Sequence, residues 1–144
     1  MHGDRENEYC AAQALTVSAA STNKVKSGVG LGIGEPMVVV ITVDVAPKES
    51  DANETYTAKV RTDDAAAMGG PTDLVAAVTI PRTAEIGDRF LLPIPPNDVA
   101  EDWTDVYFTL GGTNPSITVT ARLIPTRLLD NVKTYPSGTL ISGN

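Results

Sequence analysis

The sequence has very few of the residues on which catalytic and metal sites depend. Its 144 residues include one histidine, His2, and one cysteine, Cys10. A Ser-His-Asp triad or a Cys-His pair has to use these two N-terminal residues, and a structural zinc site needs several cysteines or histidines. We therefore expect no enzymatic activity, no bound metal and no cofactor.

The features of an exported or membrane-spanning protein are also scarce. The first nine residues, MHGDRENEY, are polar where a signal peptide needs an apolar stretch. The longest apolar run, residues 37–41, is much shorter than the roughly 20 residues that cross a bilayer. A single cysteine cannot form a disulfide within the chain, which suits a reducing cytosol. We expect the protein to be made and folded in a cytoplasm.

Positive charge is in deficit. Lysine and arginine number 11 against 18 aspartates and glutamates, so the formal net charge is −7. Nucleic-acid binding needs clustered cations, and anionic membrane surfaces attract them. We therefore expect neither nucleic acid nor membrane among the partners.

Short alternating segments make up most of what the sequence does contain. Hydrophobic residues are 42% of the chain but aromatics only 5%, so the core must consist mainly of aliphatic side chains. Apolar residues recur at every second position, which is typical of strands with one buried face. The clearest such segments are residues 36–45, 55–62, 74–80 and 89–94. Pro93 lacks the N–H that a sheet ladder needs, which favours an edge position for its strand.

Residues 106–125 predict a β-hairpin. Val106, Phe108 and Leu110 alternate with polar residues before the break, and Ile117 and Val119 resume the alternation after it. The intervening GGTNPS contains glycine, asparagine and proline, which are typical of loops. Its length leaves the turn type open.

The spacing of these segments predicts an all-β fold. Seven or eight short strands separated by Gly/Pro loops indicate a jelly-roll-like β-sandwich. We place this domain at residues 23–125, after an extended N-terminal arm at 1–22 and before a polar C-terminal tail at 126–144. The arm contains CAAQALTVSAASTN, whose small side chains permit close approach to another surface. A short amphipathic helix packed on the same domain is the alternative for that segment.

Six apolar or aromatic residues are candidates for contact with a partner. The strand at residues 36–45 is apolar on both faces in its first half, so a second layer or a neighbouring subunit has to cover its outer valines. For each candidate, burial within its own domain is the alternative. The candidates are Leu15, Val17, Val38, Val40, Trp103 and Tyr107.

Five segments, taken in order, resemble one protein family. They are ALTVSAASTN (14–23), IGEPMVVVITVDV (33–45), TYTAKVRTDD (55–64), RFLLPIPP (89–96) and GGTNPSITVTARLIP (111–125). Together they resemble the capsid cement, or decoration, proteins of tailed bacteriophages, of the Bordetella-phage type. The chain departs from that pattern at residues 26–28, where Lys-Ser-Gly stands in place of an expected Asp-Leu-Gly.

The resemblance implies a structural role on a virion. It implies a jelly-roll-like domain on the outer surface of an icosahedral capsid, made in the host bacterial cytoplasm, that braces neighbouring subunits against packaged DNA. The implied partners are the major capsid protein and further copies of this chain, with a dimer favoured over a trimer. The alternative is a carbohydrate-binding or host-attachment sandwich, in which Trp103 and Tyr107 stack on a sugar ring.

Overall fold

The computed structural model describes residues 7–26, 36–95 and 102–128, and that part of the chain contains nine strands. The strands are β1 (Glu8–Leu15), β2 (Ala19–Ala20), β3 (Val25–Lys26), β4 (Met37–Val45), β5 (Thr55–Asp63), β6 (Thr72–Thr79), β7 (Arg89–Pro93), β8 (Trp103–Gly111) and β9 (Ile117–Pro125). Only residues 126–128 of the predicted tail lie within the described part, and they form a short 3₁₀ turn.

The strands form two antiparallel sheets that pack face to face. The first sheet has the order β1-β9-β4-β7, and the second has the order β2-β8-β5-β6, with β3 also paired to β8. The pairs are nested along the chain: β1 pairs with β9, β2 and β3 with β8, β4 with β7, and β5 with β6. This nesting of early strands with late ones is the jelly-roll topology. The predicted all-β, jelly-roll-like sandwich is confirmed.

The core lies between the sheets and is built by period-two alternation. On β4, for example, Val39, Ile41 and Val43 point inward and are fully buried. Aliphatic residues dominate, and Tyr9, Tyr56 and Phe108 are the largest of the fully buried side chains. The inward residues of the other long strands include Val119, Ala121 and Leu123 of β9, Ala58 and Val60 of β5, and Val106 of β8.

Strand β7 confirms the inference drawn from Pro93. Among the nine described strands it lies at an edge of the first sheet and pairs only with β4, where Pro93 stands opposite Val38. A proline is tolerated there because no further strand requires its missing N–H.

The hairpin predicted over residues 106–125 is wrong. Both of its strands exist, but β8 belongs to the second sheet and β9 to the first, so they face each other across the core. A two-residue period says only that one face is buried, and it is the same for strands paired side by side and for strands packed face to face. The connection between them, residues 112–116, is therefore an arch between sheets.

The arch is held by the loop between β4 and β5. The Asn53 side chain donates to Thr113 Oγ1 (2.8 Å) and accepts from the Thr113 N–H (3.1 Å). The Ser116 N–H donates to the Tyr56 hydroxyl oxygen at 3.0 Å. Gly112 has φ +100° and lies against this loop so closely that a Cβ would stand 2.6 Å from the Asn53 carbonyl oxygen. These contacts satisfy loop groups that a hairpin would have paired within itself.

The predicted arm at residues 1–22 is largely part of the sandwich where the structure describes it. Strand β1 pairs with β9 from Glu8↔Arg122 to Leu15↔Ile117. Tyr9 and Cys10 are fully buried, and the Tyr9 hydroxyl shares a 2.8 Å hydrogen bond with Thr104 Oγ1 of the opposite sheet. The sequence of β1 lacks the regular alternation of a strand because β1 is irregular: its register relative to β9 shifts twice, and Ala12 has φ +49°.

Burial of Cys10 leads to a labelling prediction. Burial raises the pKa of its thiol to about 12, and the thiol lies 3.6 Å from the Val119 carbonyl oxygen, to which it donates. The thiolate is the reactive form, so both protonation and burial protect the residue. We expect a thiol reagent at pH 8 to modify the folded protein at least about a thousandfold more slowly than the denatured chain, as stabilities of roughly 5 kcal/mol or more require. Labelling of the folded protein at the denatured rate would mean that β1 detaches locally.

Candidate functional site

The structure separates the six candidate contact residues into three groups. Leu15 is 3% exposed and packs in the core between the sheets, so it is unavailable to a partner. Val17, just after β1, is 68% exposed. The remaining four lie on the outer faces of the two sheets.

Val38 and Val40 lie on the outer face of the first sheet. They alternate with the inward Val39 and Ile41, which confirms that β4 is apolar on both faces. They cluster with Ile124 of β9 and are only 2% and 7% exposed. The two valines are therefore covered within their own chain, as the burial alternative proposed, and offer little area to a partner.

Trp103 and Tyr107 lie on the outer face of the second sheet. Both are on β8, where Thr104, Val106 and Phe108 point inward, so the odd-numbered residues share the outer face. Each is half-buried. This is the only pair among the six candidates that the fold brings to one surface while leaving part of each side chain accessible.

Cations lie over both rings. The guanidinium carbon of Arg61 is 4.5 Å from the centre of the Tyr107 ring, and Lys59 Nζ is 6.0 Å from the same centre. Lys26 Nζ is 6.0 Å from the centre of the Trp103 ring. These distances are within the range of cation–π attraction. We call this set, Lys26, Lys59, Arg61, Trp103 and Tyr107, the aromatic–cationic face.

A buried carboxylate holds Arg61 in place on this face. Asp105, whose side chain is fully buried, accepts two hydrogen bonds from Arg61, from Nε at 2.9 Å and from Nη2 at 2.6 Å. These bonds raise the pKa of the Arg61 guanidinium. A two-pronged pair of this kind fixes the plane of the guanidinium, so Arg61 is pre-positioned over Tyr107.

The cations of the face were missed in the sequence. Alternation along β5 does indicate that Lys59 and Arg61 share its outer surface, opposite the inward Ala58 and Val60. The missing information was the register, which places Lys59 opposite Tyr107 and Arg61 opposite Asp105. No local signal connects these positions, because β5 and β8 are far apart along the chain.

The chemistry of the face suits binding. In the described ranges, no group of three or more His, Cys, Asp or Glu side chains is arranged to hold a metal ion. None of the helical segments described is long and apolar enough to cross a membrane. The aromatic–cationic face offers instead a semi-rigid surface of aromatic rings and guanidinium or ammonium groups. Trp, Tyr and Arg are the residues most often responsible for the binding energy of protein interfaces.

No family model matches the chain, and no curated protein matches it significantly.

Proposed function

We propose that this protein is a capsid cement protein that binds the outer surface of a tailed-phage capsid and braces neighbouring major capsid subunits. The aromatic–cationic face is the observation that carries the proposal, because it offers a surface suited to a partner, and the residues that the structure describes contain no recognisable catalytic constellation. The ordered resemblance of five segments to the cement family supplies the identity of the partner.

The charged side chains of the face favour a protein partner with a complementary pattern of charges. The chain as a whole has a net charge of −7, yet three cations gather around Trp103 and Tyr107. Three carboxylates lie among these cations: Asp73 and Asp105 pair with Lys59 and Arg61, and Asp63 stands opposite Trp103. A fixed pattern of opposite charges favours one orientation of approach by a partner and disfavours others.

Bracing requires no chemistry beyond binding. A protein that binds the assembled shell but not its separated subunits stabilises the shell by its binding free energy. If the cement protein acts as a dimer, as we propose, each copy increases the effective concentration of the other at the shell, so modest contacts combine into firm attachment.

The sugar-binding alternative uses the same two aromatic residues. Stacking on a sugar needs an open ring face, whereas Tyr107 already has Arg61 above its ring at 4.5 Å and Trp103 has Lys26 at 6.0 Å. Arg61 is held there by its two bonds to Asp105 and cannot easily move aside. The cations therefore favour the protein partner. Reproducible hits on a glycan array that are lost on Trp103→Ala would reverse this preference.

Co-sedimentation with capsids that lack the protein tests the proposal. We expect saturable binding to capsids and a raised melting temperature of the shell, measured before and after capsid expansion. Replacing Tyr107 or Trp103 with alanine should raise the dissociation constant about 30-fold, the effect of losing a hot-spot side chain worth about 2 kcal/mol.

The control is Ile86→Ala, which removes a large side chain that is 71% exposed outside the face. This variant should bind like the wild type, and all variants should be compared after their own unfolding temperatures have been measured. Absence of binding by the wild type to either form of the capsid would exclude the cement function. Binding that is unchanged in both aromatic variants would exclude the aromatic–cationic face as its site.

A further inference from the structure

Two arginines from different strands face one cavity on the outer face of the first sheet. Strand β4 lies between β7 and β9, and its outward residue Thr42 pairs with Arg89 of β7 while Val40 pairs with Arg122 of β9. The two guanidinium groups thus flank β4 from opposite sides. They help to line a cavity of about 220 Å³. This is the sheet opposite to the aromatic–cationic face.

Arg89 has a buried hydrogen-bond donor for which the structure provides no acceptor. Its Nε is buried and has no hydrogen-bond partner. Among the described residues, no carboxylate forms an ion pair with it. Burial, together with the positive charge of Arg122, lowers the pKa of the Arg89 guanidinium. A half-buried cation beside another cation is an unfavourable arrangement until an anion joins it.

The other charged groups at the cavity are already engaged. Asp44 accepts a hydrogen bond from Thr120 Oγ1 at 2.5 Å. Glu8 contacts Arg122 only through Nε, at 3.3 Å, and the Arg122 side chain is 43% exposed. The Arg122 side chain is therefore open to solvent, whereas the Nε of Arg89 is buried.

Apolar side chains complete the lining. Val40 and Ile124 lie beside the arginines, and both are largely buried. A ligand of this lining needs an anionic head for the two guanidinium groups, and it can place no more than a short apolar stem against Val40 and Ile124, which are only 7% and 5% exposed. We propose that the cavity is a binding site for a carboxylate group carried on a short aliphatic stem.

The lining distinguishes a carboxylate from a phosphate. A carboxylate carries one negative charge and matches the planar fork of a guanidinium. A phosphate is close to doubly charged at neutral pH and would lie beside the carboxylate of Asp44, which also lines the cavity. With Glu8 paired to Arg122, two carboxylates already stand beside the two arginines, so a monoanion meets less repulsion there than a dianion.

The test is a titration of the full-length protein with sodium butyrate at constant ionic strength, followed by the NMR signals of the arginine Nε–H groups. We expect the Arg89 signal to shift and saturate, and we expect butyramide, which has the same shape without charge, to cause no saturable shift. Inorganic phosphate should bind at least about tenfold more weakly than butyrate, the factor expected for a misplaced charged hydrogen bond.

Variants locate the site. Arg89→Gln should weaken butyrate binding at least about tenfold, and Arg89→Lys, which keeps the charge but loses the fork, should weaken it by a smaller factor. Arg122→Gln provides a second route in case Arg89→Gln disturbs the fold. Lys48→Gln is the matched control, since it changes the net charge equally at an exposed loop position. Absence of a saturable shift, equal binding of butyramide, or unchanged binding in both arginine variants would overturn the proposal.

A second ligand identifies the natural source of the carboxylate. N-acetyl-glutamate amide presents a glutamate side chain as it occurs within a protein. Tighter binding of this compound than of butyrate supports an acidic side chain of a partner chain, and tighter binding of butyrate supports a free small acid. The proposal does not depend on the capsid function, because the cavity and the aromatic–cationic face lie on different sheets and are tested by different ligands.

Discussion

Replacing Tyr9 with alanine should lower the free energy of unfolding by about 3–5 kcal/mol, the usual cost of deleting a large buried aromatic side chain. Tyr9 is fully buried in the core. Its hydroxyl group forms a hydrogen bond that joins the first sheet to Thr104 of the second. The loss of the ring leaves a cavity between the sheets at the point where β1 is attached to the domain.

Two further variants separate the contribution of the Tyr9 hydroxyl group from that of its ring and provide an exposed control. Tyr9→Phe retains the ring but leaves Thr104 Oγ1 buried without this partner, and it should cost about 1–3 kcal/mol. Val17→Ala removes apolar atoms from a side chain that is 68% exposed, and it should change stability by less than about 0.5 kcal/mol. Urea denaturation measures the free energy of unfolding of all three variants. If β1 were a dispensable arm, Tyr9→Ala would be as mild as Val17→Ala.

Replacing Arg61 with methionine should destabilise the protein by about 3–5 kcal/mol, because it leaves the buried carboxylate of Asp105 without its cation. The Asp105 side chain has no exposed area, and both of its hydrogen bonds to the Arg61 guanidinium are lost. The same replacement at Lys59 should cost at most about 1 kcal/mol, since its pair with Asp73 is exposed to solvent.

A double variant shows whether the cost comes from the orphaned charge. Arg61→Met combined with Asp105→Leu removes both charges and should recover most of the lost stability, since a buried ion pair is often replaceable by apolar side chains of similar volume. Thermal or urea unfolding of the four proteins in the cycle provides the coupling energy. Additive losses in the double variant would show that Arg61 acts through packing on Tyr107 and not through Asp105.

The sequence was sufficient for the fold class but not for the pairing of strands. Alternation located β4, β5, β7, β8 and β9 closely, and Pro93 placed β7 at an edge. The hairpin prediction was wrong because the alternation of apolar and polar residues shows which face of a strand is buried and carries no information about the neighbouring strand. The prediction of a separate N-terminal arm did not recognise β1, because this strand has two register shifts that break the two-residue period on which strand prediction depends.

The functional surfaces were even less accessible to sequence reasoning. Trp103 and Tyr107 were identified by residue type, but the cations above them come from β3 and β5 and are placed there by register alone. The cavity between Arg89 and Arg122 depends on β4 lying between β7 and β9, which no local pattern specifies. Sites assembled across strands in this way become visible only when the sheet order is known.

The pairing of β1 with β9 has a consequence for how the protein is made. In the first sheet, β1 is the first strand described and β9 is the last. Among the described strands, β1 pairs only with β9, and Leu15 stands opposite Ile117. A ribosome adds roughly 5–20 residues per second, so β1 waits for several seconds before β9 emerges. During that time its apolar residues, including Tyr9, have no native strand to cover them. Closure of the sandwich thus has to wait for β9 and involves contacts of high contact order, and the nascent chain must remain soluble until then.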